Sequence, residues 1–339
     1  RHGRSRRQRQ MCIRDSHYTW RAPLMVVVVV ATIGFIFGWM SMRNFSDTKE
    51  VVLDKTSVLL STFGFGLMLY GFSIAGTQGF HNPLVIISLI AGLVIVGIFI
   101  HRQLKIDNPI LNLHVFQSRT FTLTSIASMI AFTSMVGPAL LIPVYIQNAL
   151  GLSALLSGLV VLPGAVINGV MSVVNGRLYD KVGARVVVIP GFILLLITTL
   201  MMAQLTAHTS YLYVISIFTI RLFSISLLTM PLNTAGINSL TNDMVSHGTA
   251  IMNTLRTISG SMGTALMVTL MSLGARWYHP DHSVAQGMIH REAIAFGVDL
   301  AFYVTSGFLL IGLIISFFIY DRGKEKKTRK QNYVRQPNR

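Results

Sequence analysis

Long apolar runs alternate along the whole chain with short polar segments rich in Gly, Pro and Asn. Nine of these runs read as hydrophobic helices, near residues 24–42, 57–76, 84–101, 121–147, 154–175, 186–205, 210–232, 247–273 and 300–320. Leu24–Met42 and Ala301–Tyr320 contain no charged residue. About 20 consecutive apolar residues suffice to cross a bilayer as a helix. The pattern predicts an all-α polytopic membrane protein whose surroundings are mostly lipid. Most connections are short and carry turn residues, as at Gly79–Pro83 and Gly151–Ser153. Two longer ones, 102–120 and 274–299, contain Asp107–Asn108–Pro109 and His279–Pro280–Asp281.

Composition agrees with the pattern: 52% of residues are hydrophobic and 12% are charged, where a soluble domain carries about a quarter. The net charge of +16 sits at the two ends and in the short connections. No soluble basic face remains, so nucleic acid is not an expected partner. The single cysteine, Cys12, cannot form an internal disulfide. Residues 1–16 include Met11–Cys12–Ile13–Arg14–Asp15–Ser16, which resembles a translated sequencing adapter; this head is expected to be non-native.

Lys and Arg set the orientation, because cytoplasmic loops hold the excess. With the carboxy terminus in the cytoplasm, inside segments carry seventeen Lys and Arg and outside segments three. The tail 321–339, with Lys324, Lys326, Lys327, Arg329 and Lys330, then faces anionic headgroups. Nine spans is an odd number, whereas paired repeats give an even one. A missing amino-terminal portion is therefore expected.

Several motifs occur in order. Helix 154–175 runs into Gly176–Arg177–Leu178–Tyr179–Asp180–Lys181–Val182–Gly183–Ala184–Arg185, which resembles the G-x-L-x-D-x-x-G-x-R cytoplasmic loop of the major facilitator superfamily. Gly176 and Gly183 suit a tight reversal between helices. Asp180 suits pairing with Arg177 or Arg185, a charge cluster able to latch one state of a rocking bundle. The same residues are also what an ordinary solvated, positive-inside loop would carry. Leu162–Pro163–Gly164–Ala165, Met230–Pro231–Leu232–Asn233–Thr234–Ala235–Gly236, and His247–Gly248–Thr249–Ala250 through Arg256 to Gly260–Ser261–Met262–Gly263 accompany it. Together they resemble the second half of the fourteen-helix drug:proton antiporters of the QacA/EmrB type, from about Trp20 to Tyr320.

The resemblance implies a partial major facilitator fold of about nine transmembrane helices. Residues 17–42 would close the amino-terminal bundle. Residues 43–119 would hold two linker helices and a cytoplasmic loop, 120–320 a six-helix carboxy-terminal bundle, and 321–339 a basic tail. The missing amino-terminal half would be a partner for alternating access, and would hold most of the family's coupling acids. Val173 stands where relatives often have Pro, and Ser224 and Ser226 where glycines are common. The serines are expected to loosen helix contact.

Intramembrane polar residues are few. No acid falls mid-span; Asp54 and Asp299 sit at span ends, while Arg221 and Arg256 lie well inside. A central Arg costs at least about 2.5 kcal/mol and normally turns to a cavity or a partner. Thr249, Asn253, Arg256, Gly260, Gly263 and Met267 share one helix face at three- and four-residue steps. That face reads either as a bundle interior that senses substrate or protonation, or as packing glue. Met129, Phe132 and Met135, ahead of Pro138 and Pro143, suit a greasy substrate cavity; they suit a lipid-facing surface better.

No Cys/His metal spacing, phosphate loop or paired membrane carboxylates suggest an enzyme. His279, His282 and His290 share a segment with Asp281 and Glu292, which reads as a solvated loop rather than a metal site. The expected function is secondary active efflux of amphipathic drugs in exchange for protons, from a bacterial plasma membrane, with no cofactor. Export of an endogenous metabolite or lipid, and a non-transporting scaffold or sensor, are the alternatives.

Overall fold

The computed structural model describes residues 22–41, 54–106, 109–278 and 286–319. Nine α-helices run through the described residues. They are α1 (Ala22–Ser41), α2 (Lys55–Gln78), α3 (Pro83–Lys105), α4 (Arg119–Asn148), α5 (Ala154–Val182), α6 (Ala184–Met202), α7 (Tyr211–Asn238), α8 (Val245–Trp277) and α9 (Gln286–Phe317). Eight are long and apolar enough to cross a membrane; in α1 the apolar stretch is the shorter Val27–Ser41. The fold is all-helical and polytopic, as the apolar runs predict. The basic head and tail lie outside the described residues, as do Asp107, His279, Asp281 and His282.

Local chemistry sets the helix starts. Asp54 caps α2 by accepting the Thr56 N–H at 3.2 Å, and Asn82 caps α3 at the Leu84 N–H with Pro83 in the first turn. Ser118 and Ser153 cap α4 and α5. These side chains satisfy backbone donors that a helix start leaves orphaned. At Gly183 a φ of 88° separates α5 from α6 with one residue between them. A side chain there would be strained, so glycine is required.

Helix α1 falls in a unit separate from the rest of the chain. Its Val27–Val30, Phe35, Phe37 and Trp39 are exposed, a surface suited to lipid. In the other unit, α2 and α3 form a hairpin. Gly92 meets Met68 and Gly64 meets Val96 at distances no larger residue would allow. A polar clasp closes one end. Arg102 Nε and Nη2 donate to Asp54 at 2.9 and 3.2 Å, and Gln103 Nε2 donates to Ser57 Oγ at 2.7 Å. The Arg102 guanidinium, with the Ser57 hydroxyl, holds the Asp54 carboxyl down at about 2. The other end of α2 lies on α8, with Gly76 against Ala265 and Val268.

Helices α4 to α9 form one bundle. Helix α4 is the most enclosed and packs on α5, α7, α8 and α9. One core gathers Leu141, Ile142, Tyr145, Phe218 and Phe302; a second gathers Val188, Phe192, Leu195, Leu228 and Leu309.

The two largest departures from the sequence reading are in α5 and α9. Helix α5 continues past residue 175 to Val182, and α9 begins at Gln286 rather than near 300. Both extensions carry charges, Arg177 and Asp180 in one, Arg291 and Glu292 in the other. Charge ends an apolar run, but helical hydrogen bonds are made by the backbone and continue through it.

Candidate functional site

The polar face of α8 meets α4. A methyl placed on Gly263 would lie 2.9 Å from the Thr133 carbonyl oxygen and 3.0 Å from its Cα. The two backbones touch as only glycine permits. Gly260 faces side chains instead: a methyl there would lie 3.1 Å from the Phe132 ring and 3.3 Å from Val136. Thr133 Oγ1 donates to the Ser259 carbonyl at 3.0 Å, and Met267 fills the space left open at Gly137. Arg256 lies in this seam with its guanidinium 4.9 Å from the Phe132 ring centroid. Such cation–π contacts contribute about 0.5–2 kcal/mol. No ion pair joins Arg256 to an acid among the described residues. Asn253 is exposed at the margin.

The structure thus joins Arg256 and Phe132, which the sequence reading kept in separate groups. Met129 and Met135, grouped with Phe132 as a possible cavity lining, have different surroundings. Met135 packs against the core around Phe192 and Leu195, while Met129 is half-buried. At about 100° per residue, positions six apart diverge by about 120° around a helix, so the two methionines flank Phe132 on opposite sides.

Arg221 is a core residue rather than part of a cavity face. It is 1% exposed. Its Nη1 donates to Thr199 Oγ1 on α6, and its Nη2 donates to Ser134 Oγ at 2.7 Å and to the Ser134 carbonyl at 2.5 Å on α4. Its guanidinium carbon lies 5.8 Å from the Phe302 ring centroid on α9. The carbonyl contact has a local cause. In α4 the Ser134 carbonyl should receive the N–H of residue 138, which is proline and has none. Arg221 supplies the missing donor. One side chain from α7 thereby binds α4, α6 and α9 and satisfies a carbonyl that the proline orphans.

The stretch 176–185 is mostly helix. Gly176, Arg177 and Asp180 lie on the last turns of α5; only Gly183 sits at the break. A methyl on Gly176 would meet only Met230, at 3.8 Å, so neither a turn nor packing requires glycine there. Arg177, Asp180 and Arg185 are exposed, and no ion pair joins Asp180 to either arginine. The expected intrachain latch is therefore absent among the described residues. The helix carries Arg177 and Asp180 outward on its surface instead of folding them together in a loop.

Sequence reasoning also misjudged Ser226. Asn175 Nδ2 donates to Ser226 Oγ at 2.9 Å, and Asn168 Nδ2 donates to the Leu222 carbonyl at 2.9 Å. Ser226 and Asn175 are buried, so the serine fastens α5 to α7 rather than loosening them. Asp299 is likewise no span end. It lies well inside α9, half-buried, and accepts the Leu205 N–H at 3.1 Å. The one signal in the sequence was an acid bordered by apolar residues on both sides, in Gly297–Val298–Asp299–Leu300–Ala301. Glu292, part of the expected solvated loop, lies on α9 and accepts from the Tyr278 hydroxyl.

Comparison with known proteins follows the same lines. The chain is 38% identical over 300 residues to the uncharacterized MFS-type transporter YcnB of Bacillus subtilis, covering 88% of this chain and 62% of that protein. It is 38% identical over 304 residues to the lincomycin resistance protein LmrB of Listeria innocua, covering 89% and 64%. It is 26% identical over 203 residues to the multidrug transporter protein MdtP of Bacillus subtilis, covering 59% and 37%. The chain therefore spans less than two thirds of the length of these relatives. The profile of the Major Facilitator Superfamily matches residues 15–264, a stretch running from before α1 into α8. With its membrane-spanning helices and this match, the chain belongs to the Major Facilitator Superfamily.

Proposed function

We propose that this chain is the carboxy-terminal portion of a proton-coupled exporter of amphipathic small molecules, working by alternating access in a bacterial plasma membrane. The observation that carries this reading is the α4–α8 seam. It places a guanidinium over an aromatic ring inside the apolar thickness of the bundle, with no acid paired to it among the described residues. A charge so placed is costly unless it serves a partner, a substrate or a coupled ion. The names of the relatives support the substrate class: LmrB is a lincomycin resistance protein and MdtP a multidrug transporter.

In this reading α1 ends the amino-terminal bundle, α2 and α3 are linker helices, α4–α9 form the carboxy-terminal bundle, and the carboxy terminus is cytoplasmic. A fourteen-helix arrangement of the QacA/EmrB type is the matching whole. Arg177, Asp180 and Arg185, exposed and unpaired with one another, would then meet the amino-terminal half when the inner side closes. Two bundles rocking about a midplane site move substrate without covalent chemistry. The test is drug accumulation in cells producing the longer protein. Accumulation should fall relative to cells without it and recover when the proton gradient is collapsed. Accumulation unaffected by the gradient would leave export by proton exchange without support.

A further inference from the structure

A second site lies away from the α4–α8 seam. Phe296, Asp299, Leu300 and Tyr303 recur at three- and four-residue steps and form one stripe on α9. Facing them, Ala203, Gln204 and Thr206 come from the turn after α6. Together the seven residues line a cleft of about 360 Å³. Tyr145 Oη donates to the Thr206 carbonyl at 2.6 Å, which fixes the turn to the end of α4. The cleft wall is therefore built from α9 and the turn after α6, which α4 holds in place.

Its chemistry is one-sided. Asp299 Oδ1 accepts the Leu205 N–H, and no Lys, Arg or His pairs with this carboxylate among the described residues. An ionised carboxylate has about four acceptor positions, so most of its capacity is unused. Phe296 and Tyr303 are exposed beside it and offer aromatic faces, which attract cations within about 6 Å. No basic side chain lines the cleft to receive an anion. The volume lies at the small end of the range for ligand sites, roughly 300–1,000 Å³.

We propose that this cleft binds an organic ammonium ion, its charge on Asp299 and its apolar body against Phe296 and Tyr303. Under the orientation proposed above, on which only the side of access rests, the cleft opens to the outer face. The ammonium can come from a soluble amphipathic amine or from an ethanolamine lipid headgroup.

The test uses the 339-residue chain purified in maltoside micelles, with ethidium as the probe. Saturable ethidium binding is expected. Asp299→Asn keeps an acceptor for the Leu205 N–H but removes the charge, and should weaken binding at least tenfold. Tyr303→Leu should weaken it several-fold, whereas Glu292→Gln, outside the cleft, should not. Tetrapropylammonium should displace ethidium from the unmodified chain, and the neutral amide N,N-dipropylpropanamide should not. This second measurement stands even if an Asp299 variant fails to fold. Equal affinity in Asp299→Asn, or displacement by the neutral amide, overturns the proposal. In nanodiscs, ethidium binding lost on adding phosphatidylethanolamine assigns the ammonium to lipid; binding retained assigns it to a soluble amine. A Gln204→Cys variant in a Cys12→Ser background separates site from orientation. Ethidium should protect it from an impermeant maleimide applied outside. Labelling only from the cytoplasmic side overturns the orientation alone; labelling unprotected from either side overturns the cleft.

Discussion

Arg221 and Pro138 should be energetically coupled although they lie on different helices. Arg221→Met removes the donors to Thr199, Ser134 Oγ and the Ser134 carbonyl. Hydrogen bonds to a charged group contribute about 1.5–3 kcal/mol each, and a buried carbonyl left unpaired costs about 1–3 kcal/mol. Against this, removing a buried charge relieves a desolvation penalty of several kcal/mol. The single substitution is thus a small difference between large opposing effects. The coupling is better determined. In a Pro138→Ala background residue 138 regains an N–H for the Ser134 carbonyl, so the orphan-carbonyl cost of losing Arg221 disappears. The two lone pairs of that oxygen let both donors bind in the Pro138→Ala chain. Arg221→Met should therefore cost about 1–3 kcal/mol less with alanine at 138 than with proline. Unfolding of the four chains in mixed micelles of graded denaturing strength measures this directly. Effects that add to within about 0.5 kcal/mol would refute the assignment of Arg221 as the proline's replacement donor.

Gly263→Ala should destabilise the bundle by about 1–3 kcal/mol, because its methyl meets Thr133 backbone atoms that cannot swing away. Gly169→Ala, where nothing lies within 4 Å, should be neutral or stabilising by up to about 1 kcal/mol. Apparent melting temperatures in detergent compare the two. Arg256→Ala in the longer protein should abolish efflux with normal membrane insertion, and Arg256→Lys should be intermediate, since Lys keeps the charge without the planar stack over Phe132. Full efflux and stability in Arg256→Ala would remove the seam from the account. Asp54 titrates lower in the folded chain, about 2, than its ordinary 3.8. Its clasp with Arg102 should be fully present above about pH 4 and lost as the pH falls toward 2. A spin-label pair spanning α2 and α3 should separate over that window, and the transition should vanish in Asp54→Asn.

Much of the fold was legible because lipid imposes a simple rule on the chain: spans are long, apolar and helical. Gly183 and the α8 stripe Gly260–Gly263 were legible too, since a positive φ and a close helix approach both demand residues without a side chain. What could not be read was pairing across distance. Arg221 meets Ser134 across 87 residues of sequence and Thr199 across 22, and nothing local to Arg221 marks either partner. The Asn175–Ser226 bond hid behind a substitution whose effect was read as looseness. Asp299 was assigned to a span end because charge was taken to end the helix, while α9 starts at Gln286 and carries it inside. The same assumption turned the helical stretch with Arg177 and Asp180 into a loop.

Proton-driven export belongs to the longer protein that this chain is proposed to complete. Its most direct test is ethidium uptake into proteoliposomes carrying that protein, with the interior made acidic. Ethidium is a permanent cation, so acid trapping of a neutral base does not concentrate it. Proton exchange gives uptake well above empty liposomes, abolished when an ionophore dissipates the pH gradient, and no uptake with the 339-residue chain alone. Uptake by the longer protein that is unchanged by the ionophore, or equal to that of empty liposomes, would contradict it.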